Sequence, residues 1–397
     1  MLKKKKNETM PEGVKKAVSL EVFIFSGLFF GAFILLGARM GAANMFNTLM
    51  NTAHDLLINT IFYILSITVL AGAISSLWSE FGLTALLSTL IAPLMKPVYG
   101  LPKASAVGVV LTYLSDNLAM INVTDNEKFR RNFKKYHVPA LCNLGTSFGM
   151  GLIITICMLG LTPGSGENLA FAVVVGNVGA IIGSIISTRL MLWQSAKFYG
   201  TDREVEVVDI TAGEVDRNPL PPVRSGDVGS RFISALLDGG KNGVDMGLSI
   251  IPGVLIVCTI VMMLTNGMPS GGYTGAAYEG VALIPWIGEK LSFILTPLFG
   301  FSSAEGIAVP ITAVGSAGAA IGTVEKLLTA GLANAHDVAV FTAMCVCTSG
   351  YLSTHVDMMH GMRCSKLTSK AIIIHSIGGI CAGVAANWIY NLLMMIM

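Results

Sequence analysis

Ionisable and strongly polar side chains recur inside segments of this chain that are otherwise apolar, and their grouping defines the chemistry they could carry. Thr112, Asp116 and Asn117 fall in VGVVLTYLSDNLAMI, and Asn143, Thr146 and Ser147 in CNLGTSFGMG. In the second half, Ser302, Ser303 and Glu305 open GFSSAEGIAVPITAVGSAG, and Thr312 and Ser316 follow. Thr348, Ser349, Ser353, His355 and Asp357 share one later segment. Such groups are costly at membrane depth, so each is a site candidate by default. Asp116 or Glu305 could complete a cation shell or take up a proton, while hydroxyls and freed carbonyls suit Na⁺ or a polar solute. Bland readings stand beside these. Membrane threonines bond back to their own helix, Asp116 could be solvated at a hairpin mouth, and His355 with Asp357 could form an interfacial pair. Glu305, one turn from an expected hairpin tip, is the strongest single candidate. His355 and His360 point to different helix faces, so no metal site is expected.

These residues need membrane elements to position them. Mean hydropathy is +0.68 and only 13% of residues are charged, about half the share in a water-soluble protein. The fold class is therefore an all-α polytopic membrane protein. Full spans are expected near 22–38, 56–78, 138–160, 169–192, 245–265, 338–358 and 371–393. Two apolar pairs, near 82–122 and 281–322, are broken by Pro97, Gly100 and Pro102, or by Pro297 and Gly300. Each pair reads as a re-entrant hairpin or as two coupled helices. Lys96 and Lys103 flank the first expected tip and would be costly at the bilayer centre.

The two broken pairs also align with each other. YGLPKASAVGVVLTYLSDNLAMI from Tyr99 matches FGFSSAEGIAVPITAVGSAGAAI from Phe299 without a gap at Gly100/Gly300, Ala104/Ala304, Val109/Val309, Thr112/Thr312, Ala119/Ala319 and Ile121/Ile321. Basic residues crowd 128–135, the connector 194–232 and the loop of Arg363, Lys366 and Lys370. The positive-inside rule then puts the lysine-rich N-terminus and all three loops in the cytoplasm and inverts the second half relative to the first. The expected organisation is a basic N-terminus and first span (1–52), a first repeat (53–192), a cytoplasmic linker (193–240) and an inverted repeat (241–397). Inverted halves with interrupted helices are how many secondary transporters build a midplane site. The series Gly176, Gly179, Gly183 and Gly378, Gly379, Gly383 reads as close helix packing.

Much is excluded. A formal charge of +2 gives no hint of nucleic-acid binding. Seven cysteines lie mostly in apolar segments, without zinc spacing, and read as packing residues. No P-loop, nucleophile elbow or HExxH motif is present, so an enzyme is not expected.

The stretches LPKASAVGVVLTYLSDNLAMINVTDNEKFRRNFKKYHVPALCNLGTSFGMGLI and GFSSAEGIAVPITAVGSAGAAIG resemble the YjiH-like membrane proteins of the nucleoside-recognition, or Gate-domain, group. That group includes spore maturation membrane proteins and is similar to the core of concentrative nucleoside transporters. The resemblance implies a multi-pass protein of the bacterial inner membrane that transports a small polar solute (nucleoside, nucleobase or amino-acid-like), coupled to Na⁺ or H⁺, with no other cofactor. By position it places Ser302, Ser303 and Glu305 in a hairpin turn, and Thr146, Ser147, Thr348 and Ser349 in partner helices. A membrane scaffold of the spore-maturation type and a passive channel are the alternatives. A homo-oligomer is compatible with the sequence, although no patch marks an interface.

Overall fold

The computed structural model describes residues 18–163, 166–205, 224–349 and 351–396. The lysine run at 3–6 and most of the polar connector, Arg217 included, lie outside them. Among the described residues the chain is helical, apart from one isolated bridge between Lys134 and Glu204. It is a polytopic membrane protein, with six helices among the described residues long and apolar enough to cross a bilayer. The first, α1 (Leu20–Met40), buries only its last residue and turns Phe23, Phe25, Leu28 and Phe30 outward. A helix apolar all round and unburied by protein is a lipid-facing span.

Two long helices, α2 (Ala42–Glu80) and α9 (Val228–Thr265), form one arm of the molecule. Their seam is made of glycine. A methyl at Gly243 would lie 2.2 Å from the Thr68 carbonyl oxygen, and one at Gly72 would lie 2.4 Å from that of Gly239. Close backbone approach is how helices gain dispersion contact where lipid removes the hydrophobic drive. Each arm helix contains a π-helical segment, Leu56–Ile61 and Val254–Cys258, and the two segments touch.

The second packing centre joins α8 (Ala170–Tyr199) to the last helix, α16 (Thr368–Ile396). The expected glycine seam is present: a methyl at Gly183 would sit 2.5 Å from the Gly378 carbonyl oxygen, and one at Gly179 2.8 Å from that of Ala382. Gly176 and Gly383 extend the contact to Thr342 and Met344 of α14 (Ala335–Cys347). All but one or two residues of α14 are nearly inaccessible, which makes it the central strut of the protein.

Between these centres lie the broken elements. In the first half, α3 (Leu83–Tyr99) leads to α4 (Ser105–Leu114) and α5 (Leu118–Asp125), then to the interrupted span α6 (Val138–Thr146) and α7 (Gly151–Gly160). In the second half, α10 (Leu283–Lys290) and α11 (Ser292–Phe299) lead to α12 (Ala304–Gly315) and α13 (Ala317–Thr329), then to α14 and α15 (Tyr351–Gly361). An offset of about 200 residues relates the halves element by element. Gly100 and Gly300 each end a helix in the left-handed region, φ 77° and 64°, where a side chain would be strained.

Corresponding hairpins enter from opposite ends. Residues 126–135 share an end with Arg203 and Asp202, through Lys135 N–H to the Arg203 carbonyl (2.9 Å) and the Lys134–Asp202 pair (3.9 Å). Residues 326–335 lie at the other end: Lys326 pairs with Asp55 at 3.3 Å, and the Ala335 N–H donates to Glu167 at 3.1 Å.

The hairpin tips lie elsewhere than the prolines suggest. Gly100 and Gly300 are corners; at the second, α11 and α12 meet at 79°. The chain folds back one helix later, at Ser115–Asn117 and at Ser316. Gly108 of α4 packs on Met120 of α5, and Thr323 of α13 donates to Thr312 of α12 at 3.5 Å. Lys96 and Lys103 are exposed at the first corner, where the Arg189 Nε–H donates to the Val98 carbonyl at 2.8 Å. The polar connector is not solvated at its far end. Arg224 and Arg231 grip the buried Glu80 carboxylate at 2.8 and 2.7 Å.

Candidate functional site

At Ser115 the backbone leaves helical geometry (φ −129°, ψ −111°). Asp116 caps the next helix, its Oδ1 accepting from the Ala119 N–H at 3.2 Å. An aspartate in this position satisfies a donor that the helix start would otherwise orphan. The tip residue, Asn117, is 3% exposed and reaches across the molecule. Its Nδ2 donates to the Ser349 carbonyl at 3.0 Å and to Thr354 Oγ1 at 2.6 Å. The Ser349 carbonyl is available because the span α14–α15 is interrupted beside it.

The other interrupted span meets the same tip. Met150, between α6 and α7, is left-handed (φ 57°). A methyl on Gly149 would lie 2.9 Å from the Asn117 side chain, and one on Gly151 would lie 2.3 Å from the Tyr113 ring. A hairpin tip thus lies between two broken helices, one from each half. Helix breaks free backbone donors and acceptors inside the protein, where only side chains, water or a ligand can satisfy them. Buried Ser349 Oγ has no hydrogen-bond partner.

Behind the tip lies a polar network that draws on five helices. His355 is inaccessible on α15, with Nε2 3.1 Å from Asn143 Oδ1 and Nδ1 3.1 Å from Thr146 Oγ1. Asn143 Nδ2 donates to Ser187 Oγ at 3.0 Å and to the Ala371 carbonyl at 3.4 Å. Ser187 Oγ is 2.9 Å from His375 Nδ1, and His375 Nε2 is 2.7 Å from the Cys347 carbonyl. The network ties α6, α8, α14, α15 and α16 together. A second cluster, Tyr113, Thr155 and Asn177, joins α4, α7 and α8 at 3.0–3.2 Å.

Two cavities flank the arm. One, of about 420 Å³, runs between α2, α9 and the first hairpin, from Glu80 and Arg224 past Ser79, Ser75 and Asn242 to Ser115. It stops two residues short of Asn117. The other, about 310 Å³, lies at the opposite end beside Asn59, Tyr63, Thr162 and Glu325.

Seven of the fourteen sequence-derived candidates come together here: Asn117, Asn143, Thr146, Ser147, Thr348, Ser349 and His355. Ser147 and Thr348 bond back to Asn143 and Met344 carbonyls at 2.9 and 2.7 Å, at the edges of the two breaks. Asp116 is beside them as a helix cap. Thr112 bonds back to its own helix at 2.8 Å, and Thr312 does so at 2.7 Å while accepting from Thr323 within the second hairpin at 3.5 Å. Asp357 is exposed, turned away from His355.

Ser302, Ser303 and Glu305 are elsewhere. They occupy the α11–α12 corner, where Ser302 is exposed and its N–H donates to Asp337 at 3.0 Å, near the first turn of α14. The break at Thr348 and Ser349 is a helix length away, about 20 Å at 1.5 Å per residue. Glu305 therefore lies at an end of the bundle, because the chain turns back at Ser316 instead of Gly300. His375, Ser187, Tyr113 and Asn177 were not anticipated. For His375 the signal was present, since a histidine inside a span is a site candidate in its own right.

This arrangement of arm, hairpins and interrupted spans has solved counterparts. The chain is similar to CNTnw in an inward-facing substrate-bound state (TM-score 0.53, 14% identity, covering 92% of this chain and 84% of that one). It is also similar to a CNTnw variant in an intermediate state (0.54, 13%, 92% and 83%) and to a double variant in an outward-facing state (0.52, 13%, 96% and 94%). These are structures of concentrative nucleoside transporters, and the likeness establishes the fold. No protein-family model matches the chain, and no curated protein matches it in sequence. The comparisons lend the YjiH-like and spore-maturation resemblances no support.

Proposed function

We propose that this protein is a secondary transporter of a small polar solute, with nucleosides the leading class, driven by a Na⁺ or H⁺ gradient. The observation that carries the reading is the Asn117 tip held between two helix breaks, two residues beyond the Ser115 end of a 420 Å³ cavity. That volume falls in the range of small-molecule sites, about 300–1,000 Å³. The breaks supply what solute and cation need: N–H donors at the start of α7, freed carbonyls near Ser349, and the hydroxyls of Ser147, Thr348 and Ser349. Asp116, the neighbour of the cavity-lining Ser115, adds a carboxylate beside the tip. The nucleoside class comes from the fold neighbours, one of which is described as substrate-bound.

The basic loops support a cytoplasmic N-terminus in a bacterial inner membrane, with Gate-like repeats spanning 53–192 and 241–397. A binding survey tests the reading. Purified protein is heated with a panel of nucleosides, nucleobases and neutral amino acids, with and without Na⁺, at acidic and neutral pH. A ligand of the folded state at about 100 times its Kd stabilises by about 2.7 kcal/mol. At least one nucleoside is expected to raise the melting temperature, and Asn117→Ala to abolish the rise. A panel without any shift contradicts the reading.

A further inference from the structure

We propose that the 310 Å³ cavity, at the end of the molecule away from the basic loops, is a binding site for a small organic cation held through an ammonium group. The site is separate from the Asn117 tip and stands whether or not the chain transports.

Three elements wall the cavity. Asn59 and Tyr63 come from α2, Gly160, Leu161 and Thr162 from the end of α7, and Glu325, Leu328 and Thr329 from α13. Asn59, Tyr63, Gly160, Thr162 and Thr329 are exposed, so a dissolved ligand reaches the cavity without any opening of the bundle. The volume lies at the lower end of the range for small-molecule sites, about 300–1,000 Å³.

Hydrogen bonds already made inside the protein fix what these groups still offer. A carboxylate can only accept, so Asn59 turns its amide nitrogen to Asp55 Oδ1 (2.7 Å) and its Oδ1 elsewhere. The Tyr63 hydroxyl gives its proton to the Gly160 carbonyl (3.2 Å), and the Thr329 hydroxyl gives its own to the Glu325 carbonyl (2.8 Å). Both oxygens keep lone pairs. Thr60 donates to Glu325 Oε2 at 3.3 Å, which leaves Oε1 and the negative charge. Thr162, at the rim, can donate or accept. The remainder is a set of acceptors, one of them charged. A ligand that satisfies them brings donors and a positive charge.

The backbone adds the same sign. α7 ends at Gly160 and α13 at Thr329, so the cavity sits against two helix C-termini. The last turn of a helix carries carbonyls without an intrahelical donor and the equivalent of about half a negative charge. Cations are favoured at such ends. Lys326, the neighbour of Glu325, is committed elsewhere: it pairs with Asp55 at 3.3 Å and lies over the Tyr278 ring, 4.6 Å from its centroid. Among the described residues the Glu325 carboxylate meets Thr60 and no ion-pair partner.

The walls favour an organic cation over a metal ion. A bare Ca²⁺ needs six or more oxygens within about 2.6 Å, and among the described residues no three His, Cys, Asp or Glu side chains gather to hold a metal. Leu161 and Leu328 instead give a carbon chain apolar surface. The Tyr63 ring, 41% exposed as a residue, adds a face on which an ammonium can rest.

The test is isothermal titration calorimetry of the purified full chain in detergent, at neutral pH and fixed ionic strength. The probes are aminobutanol, butanediol and hydroxybutyrate, which share a chain length and end in an ammonium, a hydroxyl or a carboxylate. Aminobutanol is expected to bind about tenfold or more tightly than the other two, and Glu325→Gln to remove that preference. Glutamine keeps an acceptor for Thr60, and the melting temperature without ligand checks that the fold is retained. Thr329→Lys places an ammonium one turn after Glu325, the favourable order for an i, i+4 pair, and is expected to exclude aminobutanol with Glu325 intact. Asp202→Asn, at the other end of the molecule, should leave binding unchanged. The proposal is overturned if aminobutanol does not bind, if the three probes bind alike, or if either Glu325→Gln or Thr329→Lys binds it as tightly as the unaltered chain.

Discussion

Asn143→Leu is expected to be the most damaging single polar substitution in the protein, abolishing transport and lowering stability by roughly 2–5 kcal/mol. Leucine is close to asparagine in size, so no large cavity forms. The effect comes from the partners left behind. His355 Nε2 loses its Asn143 Oδ1 partner and Ser187 Oγ loses the Asn143 donor, keeping its bond to His375; both side chains are 0% exposed. Lost bonds alone would not reach that magnitude, since interhelical hydrogen bonds in membranes average about 0.6 kcal/mol. Orphaned buried groups cost about 1–3 kcal/mol each, and that larger effect wins. Thermal unfolding in detergent, compared with Asn391→Leu at a site outside the network, measures the difference. An Asn143→Leu protein as stable as wild type would mean that the five helices are not held by this node.

Gly243→Val is expected to fail at an earlier stage, by preventing the arm from assembling. The first added carbon would lie 2.2 Å from the Thr68 carbonyl oxygen and 2.6 Å from Val69 Cα. Both are backbone atoms, so no rotamer change relieves the clash, and the helices must separate along the whole seam. Overpacking of side chains against side chains costs about 1–3 kcal/mol, and a backbone clash exceeds it. Gly240→Val, one turn away, is the matched control, because a methyl there meets only a Val69 side-chain carbon at 3.7 Å. Size-exclusion profiles should show aggregation for Gly243→Val and a wild-type peak for Gly240→Val. Equal behaviour of the two would place the α2–α9 contact elsewhere.

The parts of the fold legible in the sequence were those with a long-range signal. The alignment of Gly100 with Gly300 and Thr112 with Thr312 continues at the same offset through the hairpins and interrupted spans. The glycines of α8 and α16 announced a seam because nothing else explains their spacing. Hairpin tips were harder. Pro97, Gly100, Pro297 and Gly300 look like tips, yet they mark corners, because proline and glycine stop a helix without saying how far the chain then turns. The true tips are written in Ser-Asp-Asn and Gly-Ser, residues that also sit quietly on helices, bonding to their own backbone.

Site residues followed the same division. Asn143, Thr146 and His355 were found by the cost of polarity at membrane depth, and the structure joins them. His375 carries that signal as strongly, but its side-chain partner Ser187 is 188 residues away in sequence. Glu305 drew attention through its distance from Gly300, so its site assignment moved when the tip moved to Ser316. Glu80, which pairs with Arg224 and Arg231, lies at a span end where sequence suggests only solvation.

Concentrative uptake is the most direct measurement of what this molecule does. Purified protein in proteoliposomes is given labelled uridine, the other panel nucleosides in turn, and an imposed inward Na⁺ or H⁺ gradient. At least one nucleoside is expected to rise inside above its external concentration, and the rise to collapse when an ionophore dissipates the gradient. Flux that stops at equal concentrations under every gradient, or no flux for any nucleoside, would contradict the transporter reading.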